Sequence, residues 1–117
     1  MRKGKFADNI RPYVDAELAA AERDPEHGFK HLERAHVLGQ ASTREHVRVH
    51  WRMLTWAVRQ RDAREIFGQV IRLLGASLLT FIGKVPTGNT GGSNVSAIRP
   101  MPIDPELADI IERARNS

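Results

Sequence analysis

The stretch ERDPEHGFKHLERAHVL, residues 22–38, decides the reading of this chain, because RQRDAREIFGQVIRLL, residues 59–74, echoes it at a spacing of 38 positions. Asp24, Phe29, Leu32 and Ala35 are answered by Asp62, Phe67, Val70 and Leu73; upstream, Tyr13 and Leu18 are answered by Trp51 and Trp56. Apolar residues recur at helical spacing on both sides of each aspartate, so each half reads as a helix, a break and a second helix. Two such halves predict an all-α domain of two stacked antiparallel helix pairs. That architecture belongs to binding scaffolds more than to enzymes.

Local punctuation sets the expected boundaries. Pro12 opens the first helix, and Asp24-Pro25, a cap followed by proline at the first helical position, opens the second as far as Leu38. Gly39 reads as its left-handed stop. Ser42 with Glu45 three residues on makes a capping box for a third helix that runs to about Arg61. Asp62 with Glu65 repeats the device for a fourth helix ending near Gly83, and Asp104-Pro105 starts a short fifth one over 104–115. The expected helix pairs are thus 12–38 and 42–83 within a single domain, 1–117. Their expected core is Tyr13, Leu18, Phe29, Leu32, Trp51, Leu54, Val58, Phe67, Val70 and Leu74.

Residues 84–103, KVPTGNTGGSNVSAIRPMPI, are of a different character, rich in glycine, proline and small polar side chains. A connection of this length inside one domain is usually functional or unstructured. Its second half alternates apolar and polar residues, which predicts an extended strap lying along the helix pairs, with Asn89, Arg99 and Met101 as its candidate binding residues. The glycines over 88–94 resemble an anion-holding nest only weakly, since no Gly-Lys-Ser/Thr ending follows.

Composition narrows the class. With 41% hydrophobic and 27% charged residues over 117 positions, the chain has ordinary globular usage and length for one core. It contains no cysteine, which excludes disulfides, thiolate nucleophiles and sulfur-rich metal sites. The N-terminal segment has no apolar run of a secretory signal, and the longest apolar stretch is interrupted by Arg72 and Lys84. A cytoplasmic protein without membrane contact is expected. The net charge of +4 is carried mainly by arginine, but acidic residues interleave, so nucleic acid is a secondary expectation behind a protein or peptide partner or a homodimer. Nothing marks a nucleophile or a dinucleotide site, which points away from an enzyme.

The histidines carry the sharpest expectation. His46 and His50 lie one turn apart on the third helix, beside the stripe Val47, Trp51, Leu54 and Val58 and away from Arg44, Arg48, Arg52 and Arg59. His36 lies near the end of the preceding helix, between Phe29 and Leu32 around the wheel, whereas His27 and His31 fall on the outer side. An antiparallel hairpin therefore brings His36, His46 and His50 together. Three neutral imidazoles suit zinc, nickel or copper, with Met53 one turn on as a soft contact that favours copper. The alternative is a set of structural histidines satisfied by carbonyls or by Glu33 or Glu45. Glu33-x-x-His36 also resembles half of a carboxylate di-iron motif, but the second half is missing.

Two resemblances complete the reading. The hinge around Arg23-Asp24 in residues 22–38, with its copy in residues 59–74, resembles the tetratricopeptide repeat, at four residues more than that repeat's period of about 34. The segments RPYVDAELAAA, HLERAHVLGQ, HVRVHW, RQRD and GNTGGSNVSAIRPMPI resemble a small bacterial family of unknown function along nearly the whole chain. That resemblance implies a bacterial stand-alone domain. It implies no activity.

Overall fold

The computed structural model describes residues 3–81 and 100–117, and every regular element among them is helical. Helix α1 spans Lys3–Arg23, and a 3-10 turn, Pro25–His27, leads into α2 at Gly28–Gly39. Helices α3 (Thr43–Gln60), α4 (Ala63–Phe81) and α5 (Pro105–Asn116) follow. Helices α1 and α2 pack as one hairpin and α3 and α4 as another, joined where α2 meets α3. The expected end of the fourth helix near Gly83, and residues 84–99 of the expected strap over 84–103, with Asn89 and Arg99 among them, lie outside the described residues.

The first hairpin holds most of the core. Phe6, Ile10, Val14, Leu18 and Ala21 recur at intervals of three or four along α1 and are all buried, against Leu32, Ala35 and Leu38 of α2. The expected start at Pro12 is therefore corrected: the helix begins at Lys3, and Pro12 lies inside it on the exposed side. An interior proline removes one ladder hydrogen bond, and burial of Phe6 and Ile10, six and two residues earlier, holds the first half of the helix in place. Helix α5 closes over α1 and α2 with Leu107, Ile111 and Ala114 buried. Asn9 donates to the Ala114 carbonyl at 2.9 Å, and Arg34 bridges Glu17 and Glu106 at 2.9 and 2.8 Å.

Helix α3 is rotated from the expected orientation. Its inward residues are Glu45, His46, Val49, His50, Met53 and Ala57, while Trp51 is 56% and Val58 55% exposed and Leu54 is half-buried. Val49, Met53 and Ala57 are fully buried on that inward face, which supplies the apolar burial, and the edge beside it meets α1, where Asp8, Asp15 and Glu22 stand seven residues apart. Arg44 pairs with Asp8 at 3.6 Å, Arg48 with Asp15 at 2.7 Å, and Arg52 and Arg59 both with Glu22 at 3.4 Å. This arginine edge lies along α1 when the histidine face is inward and the Trp51 edge outward, so the pairs fit the rotation that burial of Val49, Met53 and Ala57 favours. Four of the expected arginine-face cations are thus engaged by carboxylates of the same chain.

The remaining core expectations divide. Leu18 and Leu32 are buried, and Phe29 is half-buried against Trp56, with ring centroids 4.8 Å apart. Tyr13, Phe67 and Val70 are exposed. The side chain of Leu74 lies outside the described residues. Phe29 and Phe67, equivalent in the echo, therefore do different work: the first helps cover the core, and the second faces out of the α3–α4 hairpin.

Gly39 is not a left-handed stop, because helix α2 runs through it to a right-handed cap at Gln40. The left-handed residue is Arg61, with φ 56°, at the end of α3. There the amides of Arg61 and Asp62 donate to the carbonyls of Val58 and Ala57, at 3.1 and 3.0 Å, in a Schellman closure. Gly39 is needed for close approach instead. A Cβ there would lie 2.8 Å from the Glu45 Cβ and 3.4 Å from Val14 Cγ2. Gly39→Ala should lower the unfolding free energy by about 1–3 kcal/mol through overpacking, read as a shift in urea midpoint at unchanged slope. An unchanged midpoint would show that the α2–α3 turn yields without cost.

Candidate metal centre

The turn that Gly39 tightens brings the end of α2 onto the start of α3. Ser42 caps α3 by accepting from the Glu45 amide at 3.4 Å, so His46 and His50 occupy its first two turns on the inner face. His36 comes from the last turn of α2. The three expected histidines do converge. The Nε2 atom of His36 lies 3.0 Å from Nε2 of His50 and 3.1 Å from Nε2 of His46. All three donor atoms fall within 4.8 Å of one another, and each residue is 3–4% exposed.

The His36 ring stands edge-on to the other two, at 74° to His46 and 73° to His50, while His46 and His50 are tilted by 41°, with centroids 4.6–5.0 Å apart. Their nitrogens therefore point at one locus instead of stacking face to face. Nitrogen ligands at 2.0–2.1 Å from a tetrahedral ion stand about 3.3–3.4 Å apart. The two shortest separations come within a few tenths of an ångström of that edge. Burial pushes the His46 imidazole down to about 3, helped by the neighbouring His50. Burial also pushes His50 down to about 4, opposed by its hydrogen bond to Gln69. Both rings are neutral near pH 7, the form that ligates metal.

Residues beyond the triad complete the site, and one of them was not visible in the sequence reading. His50 Nδ1 lies 2.6 Å from Oε1 of Gln69 on α4, and Gln69 Nε2 donates to Oε2 of Glu65 at 2.5 Å. Gln69 is fully buried. Its one sequence signal is a polar residue in an otherwise apolar run, four positions after Glu65. Glu45, expected as a histidine partner, is instead turned to Arg48 at 2.6 Å and Arg44 at 3.4 Å. His27 lies on the surface beside Asp24 as expected, whereas His31 is half-buried and bonded to Glu17 at 2.9 Å. Met53 is fully buried on the same face of α3 as the histidines. Met101, the one described residue of the expected binding set in the strap, is half-buried ahead of α5.

Fold and site together define an all-helical domain with a buried cluster of three histidines at the joint between its two hairpins. Residues 5–111 match the model of a family described as protein of unknown function, DUF3703, and the chain belongs to that family. No curated protein and no solved structure matches the chain. Among the described residues, no helix is long and apolar enough to cross a membrane.

Proposed function

We propose that this protein binds one divalent transition-metal ion through Nε2 of His36, His46 and His50, and that it acts by holding or delivering the ion and not by catalysis. The observation that carries this reading is the convergence of three buried Nε2 atoms, two of the three separations being 3.0 and 3.1 Å. Three imidazole donors without thiolate suit zinc, nickel or copper(II) over copper(I), calcium or magnesium. Met53 on the same face adds a soft atom to the neighbourhood and tilts the preference within that set towards copper.

The two-hairpin order supports a helical-repeat scaffold as the frame, with the ion at the joint between repeats. A purely structural role for the histidines is the competing reading. It is favoured by their T-shaped packing, which fills space well without an ion. Elemental analysis of protein purified without a histidine tag separates the two. About one equivalent of zinc, nickel or copper per chain is expected. Less than about 0.1 equivalent, with no thermal shift on adding any of the three ions, would leave the structural reading standing.

A further inference from the structure

We infer that Gln69, backed by Glu65, is a positioning residue that holds His50 in the tautomer whose Nε2 carries a lone pair for the metal. The inference rests on the proposed three-histidine site and adds to it a third helix, α4, that supplies no ligand but sets how one ligand is presented.

Donor and acceptor chemistry orders the chain. A carboxylate accepts and an amide offers one oxygen and one NH₂ group, so the 2.5 Å contact to Glu65 assigns the NH₂ end of Gln69 to that side. The amide oxygen therefore faces His50 at 2.6 Å, and an oxygen there requires the hydrogen on Nδ1. In a neutral ring the other nitrogen, Nε2, is then the acceptor. That atom is the one pointing into the triad, 3.0 Å from Nε2 of His36. Metal-bound histidines generally donate their second nitrogen to an oxygen in this way, which fixes ring orientation and raises ligand basicity.

The placement of α4 strengthens the case. Among the described side chains of α4, the two buried ones are polar, Glu65 and Gln69, while Phe67, Val70 and Ile71 face outward. Burying a carboxylate and an amide in preference to these apolar residues costs free energy unless the polar pair is satisfied. The relay to His50 contributes to satisfying it, and the half-buried Arg72 on the same helix adds a favourable charge for Glu65. Of the described helices, α4 packs on α3 alone, the helix that carries His50.

The test has one arm that needs no metal. In the apoprotein at pH 7, long-range proton–nitrogen NMR of the histidine rings should show His50 protonated at Nδ1, and Gln69→Leu should move it towards the Nε2-protonated form. The same substitution should weaken binding of zinc, nickel or copper(II) about 10–100-fold, measured by competition with a chromophoric chelator. The exchanged pair Glu65→Gln with Gln69→Glu keeps an acceptor next to His50 and a donor behind it. It should restore the Nδ1-protonated ring and most of the affinity, with circular dichroism showing that both variants are folded. A wild-type His50 protonated at Nε2, or one unmoved by Gln69→Leu, would overturn the inference whatever the metal data show. If the tautomer responds as expected and the wild type binds none of the three ions, the relay stands and the metal reading falls.

Discussion

Zinc, nickel or copper(II) at about 100 times its dissociation constant should stabilise the tag-free protein by about 2.7 kcal/mol, because an ion that binds the folded state alone acts by mass action. For a domain of this size that corresponds to a rise in Tm of about 10 °C. The effect should vanish when one ligand is removed, and the three histidines should be equivalent in this respect. His36→Gln, His46→Gln and His50→Gln each leave two nitrogens, and two imidazoles do not hold the ion at the same concentration. The informative quantity is the metal-induced shift within each variant, since replacing any of these buried rings also changes the stability of the apoprotein. His27→Gln is the control: His27 lies on the surface beside Asp24 and should leave the shift intact. A shift that survives in His36→Gln would place the ion somewhere other than the convergence of the three Nε2 atoms.

The second large effect is on acid stability. His46 and His50 are held at about 3 and about 4 in the folded protein, against 6.5 for a free side chain, chiefly by burial. The unfolded chain therefore takes up more protons than the folded one between those values. Linkage then makes stability rise with pH across the interval. The full stability is present above about pH 6.5 and drains away as the pH falls towards 4. Each pH unit below 6.5 removes about 1.4 kcal/mol per histidine, so acidification to pH 5 should cost the apoprotein about 2 kcal/mol for each, or about 4 kcal/mol together. Against a typical total of 5–15 kcal/mol this is a large share. Urea titrations at pH 7.5, 6 and 5 would show it, and the slope should be about halved in His46→Gln. Equal midpoints at pH 7.5 and 5 would mean that the two rings are hydrated in solution. Bound metal should steepen the acid loss further, because protons and the ion compete for the same nitrogens.

Much of the fold was legible before any coordinates. The breaks at Asp24, Ser42, Asp62 and Asp104 are capping signals that act within one turn of chain, and all four aspartate or serine side chains accept a hydrogen bond from the amide two or three residues on. Such signals depend on neighbours in sequence, so they survive without knowledge of the rest of the molecule. The spacing of His36, His46 and His50 belongs to the same class. A tight turn between two helices brings the end of one beside the start of the next, and residues on the inner faces must then meet.

What the sequence could not show was the rotation of each helix about its own axis and the pairing of distant helices. Trp51, Val58, Phe67 and Val70 have the hydrophobicity of core residues yet face outward. The rotation of α3 is tied to Asp8, Asp15 and Glu22, which lie on a helix whose first half the proline at position 12 conceals in the sequence. Gln69 is the sharper case: an amide in an apolar run looks like a surface residue until α4 is laid against His50. The sequence by itself determined the breaks at the capping residues and the meeting of three histidines, because those follow from periodicity and short-range hydrogen bonding, but not the first half of α1 or the cap after Gly39. Only the tertiary structure decided which faces are buried and which oxygen orients His50. Both are set by free-energy differences between whole packings, in which burying Val49, Met53 and Ala57 beside the histidines leaves Trp51 and Val58 on the outer side of α3.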